Sequence, residues 1–286
     1  MSGTALALVL AAALLHATWN LAAKGVTGDR VAFIWLYVVT TVACWGPVAV
    51  VWVVAHGESP DWRWLLGATV TAVLHIAYQL VLQRGYAEGD LNLVYPLARG
   101  SGPLLTFVFA VAVLGQRPGL LPAAGVLAVV AGVLLIALGR HHRGVRAGVT
   151  WGLLTGATIA SYTLWDSFSV NHLDVPPLPY FVVSAVLQLP WLAVLLARRR
   201  EPQPLGEVWR AARGPVLVVG ILSPLAYVLV LRALQLAPVA LVAPARESSI
   251  VVGAVFGWLV LHEPRPARRL VGAGVVLAGI ALIAVG

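Results

Sequence analysis

Apolar runs follow one another from Leu6 to Ile283, parted by short turns that carry Arg, Gly, Pro or Asp. A helix needs about 20 residues to cross roughly 30 Å of hydrocarbon, so each run predicts one transmembrane helix. Ten are predicted, over residues 4–23, 31–55, 62–82, 91–114, 120–139, 148–170, 179–197, 215–234, 238–261 and 270–285. The runs are apolar all round and lack the polar–apolar alternation of barrel strands. Pro96, Gly102, Pro103 and Pro244 fall inside the fourth and ninth runs. They predict irregular turns or simple kinks, tolerated where protein or a wet cavity satisfies the freed backbone groups. The longest polar segment, 198–214, holds Pro202, Pro204, Glu207, Trp209, Arg210 and Arg213, enough for a short interfacial helix but not for a domain.

The two halves of the pattern match each other. His16-Ala-Thr-Trp19-Asn20 answers Tyr162-Thr-Leu-Trp165-Asp166, 146 residues on. Ala77-Tyr78 answers Ala226-Tyr227, 149 residues on, and Arg99 and Leu114 answer Arg246 and Leu261, 147 residues on. Gly125, Gly132 and Gly139 meet Gly272, Gly279 and Gly286 at that same offset of 147. Five spans per half make the second copy start from the opposite side of the membrane. The expected fold class is therefore an all-α membrane protein with ten transmembrane helices in two inverted five-helix repeats. The first repeat covers 1–139 and the second 148–286, with a basic linker at 140–147. Inverted repeats of this kind serve alternating access, although a channel can share them.

Composition narrows the class further. Hydrophobic residues make up 60% and charged residues 10% of the chain, where soluble domains carry about 25% charged. The net charge of +8 comes from Lys and Arg in short loops, which suits anionic lipid headgroups rather than nucleic acid. Loops after odd-numbered spans hold Lys24, Arg30, Arg84, Arg140, Arg143, Arg146, Arg198, Arg199, Arg200, Arg210, Arg213, Arg265, Arg268 and Arg269. Those after even-numbered spans hold little beyond Arg63 and Arg117. The bias places the first set in the cytoplasm and both termini outside. The single Cys44 excludes an intrachain disulfide and a thiolate cluster. Residues 1–15 lack a basic start and read as the front of the first span rather than a signal peptide.

Polar groups at membrane depth carry the candidate chemistry. Arg99 and Arg246 sit near mid-span in equivalent positions, where an arginine costs about 2.5–3.5 kcal/mol on insertion scales. One reading is a positive central cavity that grips carboxylate or phosphate oxygens. The other is pairing with Glu247 or Asp166 to staple helices. His16, Trp19 and Asn20 share one helical face, continued by Lys24, and Tyr162, Trp165 and Asp166 repeat it. The two tryptophans suit either a solute site or an interfacial belt. His75, Tyr78 and Gln79 form another such face, with Tyr227 answering Tyr78; His75 can titrate near neutrality or hydrogen-bond as a neutral ring. Asp166 and Glu247 are the proton-coupling candidates, since burial raises a carboxyl pKa and a nearby arginine lowers it. Gly148, Gly152 and Gly156, with Gly125, Gly132, Gly272, Gly274 and Gly279, permit close helix approach. They serve packing within a monomer, with a homodimer as the alternative.

Neither HExxH, GxSxG, a Walker loop nor a dinucleotide fingerprint occurs, and neither His141-His142 nor His262-Glu263-Pro264 has metal-ligand company. The expectation is a transporter with no cofactor, no metal and no catalytic residue. Its expected partners are a small-molecule substrate and membrane lipids. A channel, a structural protein and a sensory protein are the alternatives.

These features resemble the ten-span EamA-like family of the drug/metabolite transporter superfamily. The likeness lies in the duplicated five-span unit, the prolines of the fourth and ninth spans, and the stretch from His16 to Asn20 closed by Lys24. Leu261-His262-Glu263-Pro264 resembles the family's acidic turn before a glycine-rich span, whereas Leu114-Gly115-Gln116-Arg117 lacks the acid. The resemblance implies a secondary transporter of a bacterial cytoplasmic membrane, often an exporter of amino acids or related metabolites. It implies a cavity between spans 1, 3, 4, 6, 8 and 9, with spans 5 and 10 as support. His16, Trp19, Asn20, His75, Tyr78, Tyr95, Arg99, Tyr162, Trp165, Asp166, Tyr227 and Arg246 are thereby placed near the path. It also implies cytoplasmic termini, opposite to the charge bias.

Overall fold

The computed structural model describes residues 1–89, 91–137, 145–199, 203–252 and 266–286. Among these the chain forms α1 (Gly3–Lys24), α2 (Arg30–Ala55), α3 (Trp62–Glu88), α4 (Leu91–Ala112), α5 (Leu120–Ala137), α6 (Val145–His172), α7 (Pro177–Ala197), α8 (Leu205–Leu236), α9 (Val239–Ala245) and α10 (Pro266–Val285), with a further helical stretch at 248–252. Six of them, α1, α2, α3, most of α4, α7 and α8, are long and apolar enough to cross a membrane, and shorter apolar helices occupy α5 and α10. Apolar side chains such as Val50, Val51, Val54, Leu65, Val108, Val113 and Leu277 stand exposed on the outer surface. Hydrocarbon is the solvent in which that surface is stable. The chain is an all-helical, multi-pass membrane protein.

Several boundaries differ from expectation for identifiable reasons. α8 has 32 residues, about 48 Å at 1.5 Å per residue and longer than the hydrocarbon. Ala212 breaks it with φ −128° and ψ 20°, so the expected interfacial segment is its first turns, lying before the kink. α4 does not unwind at Pro96, Gly102 or Pro103; it stays helical throughout. Ser101 Oγ donates to the Leu97 carbonyl at 2.6 Å and Thr106 Oγ1 to the Gly102 carbonyl at 2.9 Å. Hydroxyls of this kind feed carbonyls around the proline-weakened ladder. The ninth span does break: α9 ends at Ala245, residues 246–247 form a turn, and helix resumes over 248–252. The remainder of that span, the turn at His262-Glu263-Pro264, Arg265, His141-His142, Gly139 and most of the 140–147 linker lie outside the described residues.

The principal packings join α5 to α10, α1 to α8, α4 to α6, α3 to α6, α2 to α7 and α8, α3 to α7, and α4 to α9. Glycines set the closest of these. A Cβ on Gly125 would lie 2.6 Å from the Gly279 carbonyl, and one on Gly132 would lie 2.7 Å from that of Gly272. The pairing 125 with 279 and 132 with 272 makes α5 and α10 antiparallel. Gly148, Gly152 and Gly156 pack on Leu93, Leu97 and Ser101 of α4, so that small-residue face is covered within the chain. At the end of the bundle where α2 begins, Asp29 Oδ1 caps the helix by accepting from the Val31 and Ala32 amides at 2.9 and 3.2 Å. The Asp29 amide donates to Gln203 Oε1 at 2.9 Å, tying the α1–α2 turn to the start of α8.

Candidate functional site

Polar residues of α1, α3, α4, α6, α8 and the turn after α9 converge on the middle of the bundle. Arg99 Nη2 donates to His16 Nε2 at 2.9 Å. Guanidinium only donates, so His16 accepts at Nε2 and carries its proton on Nδ1. Arg99 Nη1 also lies 3.6 Å from Glu247 Oε1, with the two side chains 11% and 1% exposed. Arg246 Nη2 donates to Tyr162 Oη at 3.4 Å. Each arginine also faces a ring: Arg99 at 5.5 Å from Tyr95 and Arg246 at 5.9 Å from Tyr162. Tyr162 in turn stacks on His75 at 4.3 Å and meets Tyr78 edge-on at 5.7 Å.

The arrangement answers the pairing question raised by the sequence. Arg99 finds Glu247, whose neighbour Arg246 turns instead to the Tyr162 hydroxyl. Both oxygens of Glu247 and Nε of Arg246 are buried without a hydrogen-bond partner. Buried polar atoms left in this state cost about 1–3 kcal/mol each, more when charged. Two cations, one anion and unfilled hydrogen-bonding capacity make a site with an excess positive charge. Tyr95, 38% exposed, marks its most open part.

A second cluster adjoins the first through His75 and Tyr162. Asp166, 1% exposed, accepts from Thr71 Oγ1 and Tyr180 Oη at 2.6 Å each through Oδ1, and from Tyr227 Oη through Oδ2. His75 Nδ1 lies 2.9 Å from the Thr71 carbonyl and its Nε2 lies 3.2 Å from Tyr227 Oη. Thr71 and Tyr180 were not singled out by the sequence. Thr71 sits one helical turn before His75, which is a usable signal; Tyr180 carries none, because only the packing of α7 on α3 brings it there.

Other expected residues are placed differently. Gln79 lines a separate groove of about 160 Å³ with Val31, Ile34, Leu192 and Arg199, away from His75 and Tyr78. Trp165 spends its indole N–H on the Gly67 carbonyl at 3.0 Å, fastening α6 to α3. Asn20 Nδ2 turns back to the His16 carbonyl at 2.8 Å. Trp19 packs edge-on against His16 at 4.7 Å. A wider groove of about 1250 Å³ runs between the ends of α4 and α6 and the α8–α9 turn, with Leu74 and Trp165 on its lining.

Residues 146–285 match the EamA-like transporter family. Comparison with curated proteins gives no match. Among solved structures, a crystal structure described only as that of a protein superposes with TM-score 0.74 and 17% identity, covering 99% of this chain and 96% of that chain. At that identity the likeness concerns the fold. An EamA-like second half within an all-helical, multi-pass membrane fold makes this chain similar to membrane transporters of the EamA type, which are not enzymes.

Proposed function

We propose that this chain is a secondary transporter that moves a small anionic metabolite, of amino-acid or organic-acid type, across a bacterial cytoplasmic membrane by alternating access. The observation that carries the reading is the meeting of Arg99 and Arg246 beside Glu247, with Arg246 Nε and both Glu247 oxygens lacking hydrogen-bond partners. A carboxylate or phosphate group matches guanidinium geometry and would supply the acceptor that Arg246 Nε lacks, and the ammonium of an amino-acid-type solute would supply donors to Glu247. His16, Tyr78, Tyr95, Tyr162 and Tyr227 would frame it, and their ring faces suit a small amphipathic solute. The proposed direction is export, on the resemblance to EamA-like transporters alone.

The proposed architecture is ten spans in two inverted repeats, and the helix packings support it. Exchanging each helix of the first half with its counterpart five places on turns α1–α8 into α6–α3 and α2–α8 into α7–α3, all of them observed contacts. The same exchange turns Gly125–Gly279 into Gly272–Gly132. Antiparallel α5 and α10 are what an inverted pair requires.

The test is reconstitution. Purified protein is screened against small carboxylates and phosphates by thermal shift, and each hit is followed as flux into liposomes. Saturable transport that falls at least tenfold in folded Arg99→Ala and Arg246→Ala variants supports the assignment. Unchanged transport in both variants overturns the anion site, and single-channel currents in planar bilayers would replace the carrier with a channel.

A further inference from the structure

We propose that Asp166, Tyr227 and His75 together hold one exchangeable proton, and that this network is the proton site of the transport cycle. The second clause rests on the transporter reading above; the first stands without it.

His75 Nδ1 faces the Thr71 carbonyl at 2.9 Å and Thr71 Oγ1 at 3.1 Å; the carbonyl only accepts and the hydroxyl gives its hydrogen to Asp166 Oδ1 at 2.6 Å, so Nδ1 carries a hydrogen. Its Nε2 faces Tyr227 Oη at 3.2 Å, and the same hydroxyl contacts Asp166 Oδ2. With a neutral ring and an ionised carboxylate, the single Tyr227 hydrogen must serve two acceptors. Either the Asp166 contact or the His75 contact is then left as lone pair against lone pair.

One added proton fills both contacts. In one form Asp166 Oδ2–H donates to Tyr227 and Tyr227 donates to His75 Nε2. In the other, protonated His75 donates to Tyr227 and Tyr227 donates to the carboxylate. The forms interconvert by moving two hydrogens along the chain, with no change in total charge. Asp166 Oδ1 is satisfied in both by Thr71 and Tyr180. The proton thus belongs to the network rather than to one residue.

The surroundings leave this pair to itself. α3 presents Thr71 and His75, α7 presents Tyr180, α8 presents Tyr227, and α6 adds to Asp166 the ring of Tyr162, stacked on His75. Among the described residues facing the cluster, α4 contributes Arg99, taken up by His16 and Glu247, and the turn after α9 contributes Arg246, which bonds to Tyr162. Glu247 is therefore the counter-ion of the arginine site, and Asp166 is the carboxyl that can gain a proton. Tyr227 is the only α8 member of a network otherwise held by α3, α6 and α7, so losing the proton loosens the tie between α8 and the rest. The positions matched to Asp166, Tyr227 and His75 in the opposite halves are Asn20, Tyr78 and Pro224, which cannot build the same relay.

The test needs no solute. Full-length protein in phosphatidylethanolamine–phosphatidylglycerol vesicles is examined by pH-difference infrared spectroscopy. A titrating carboxylic-acid or imidazolium band is expected, lost in Asp166→Asn, kept in Glu247→Gln, and shifted by about one pH unit in Tyr227→Phe. No titrating band in the wild type, or a band unchanged by Asp166→Asn, overturns the proposal; so does a band that follows Glu247→Gln. Should Asp166→Asn fail to fold, Asp166→Glu and Tyr227→Phe give the same reading, and an unchanged midpoint in both overturns it. For the second clause, a solute found by the thermal-shift screen is driven by a pH gradient. Accumulation lost in Asp166→Asn with solute exchange retained supports coupling, and retained accumulation overturns it. Absence of any flux in the wild type would instead sink the transporter reading while the infrared result stands.

Discussion

Arg99 of α4 lies 3.6 Å from Glu247, the residue that directly follows Arg99's own counterpart, Arg246, in the second half of the sequence. Arg99 therefore finds its partner in the other half of the chain, next to the arginine it matches in sequence. Removing one member of a buried pair leaves the other charge unpaired, at about 3–5 kcal/mol. Glu247→Leu and Arg99→Met alone should each lower the melting temperature in detergent sharply, whereas the two combined should recover most of the loss. Additive losses in this double-mutant cycle would show that the two groups do not interact.

Gly279 should tolerate no side chain. A Cβ there would stand 2.6 Å from the Gly125 carbonyl and 2.8 Å from the Val129 amide nitrogen, both rigid backbone. Gly279→Ala is expected to cost about 1–3 kcal/mol by overpacking, and Gly274→Ala, which meets nothing within 4 Å, should be neutral or slightly stabilising. Thermal melts of the two variants decide it, and equal melting temperatures would contradict the packing.

Gln116 has a structural task in the opposite half. Its Oε1 accepts from the Ala240 amide at 3.2 Å, satisfying one of the free N–H groups at the start of α9. Gln116→Ala should cost about 1 kcal/mol, while Gln116→Glu should keep the bond. Denaturation midpoints of both variants provide the measurement; a loss as large in Gln116→Glu would argue against the cap.

Trp165 should behave as a fastener before it behaves as a solute contact. Trp165→Phe keeps a ring but leaves the Gly67 carbonyl without its donor, for about 0.5–1.5 kcal/mol. The expected result is a lower melting temperature with little change in the half-saturating solute concentration. A selective loss of affinity would reverse the assignment.

Much of this was legible along the chain because the bilayer imposes a one-dimensional rule. Runs of about 20 apolar residues must become helices that satisfy their own backbone, so α1, α2, α7 and α10 fall within a few residues of their expected bounds. The repeated Arg99 and Arg246 were equally visible, since charge at membrane depth is costly wherever the chain goes. Gln79 shows where the rule stops. The i, i+3, i+4 face it shares with His75 and Tyr78 is wide enough to be divided between two neighbours, and α7 with α2 takes Gln79.

The sequence by itself determined the helical membrane class, the duplicated pattern and the buried charges, because these follow from local solvent preference and helical period. Only the tertiary structure decided that Arg99 pairs with Glu247, that Tyr180 and Thr71 close around Asp166, and that Tyr227 links it to His75. Those contacts join residues up to 152 positions apart. They depend on which helices become neighbours, and that choice is made by the packing of whole faces against one another.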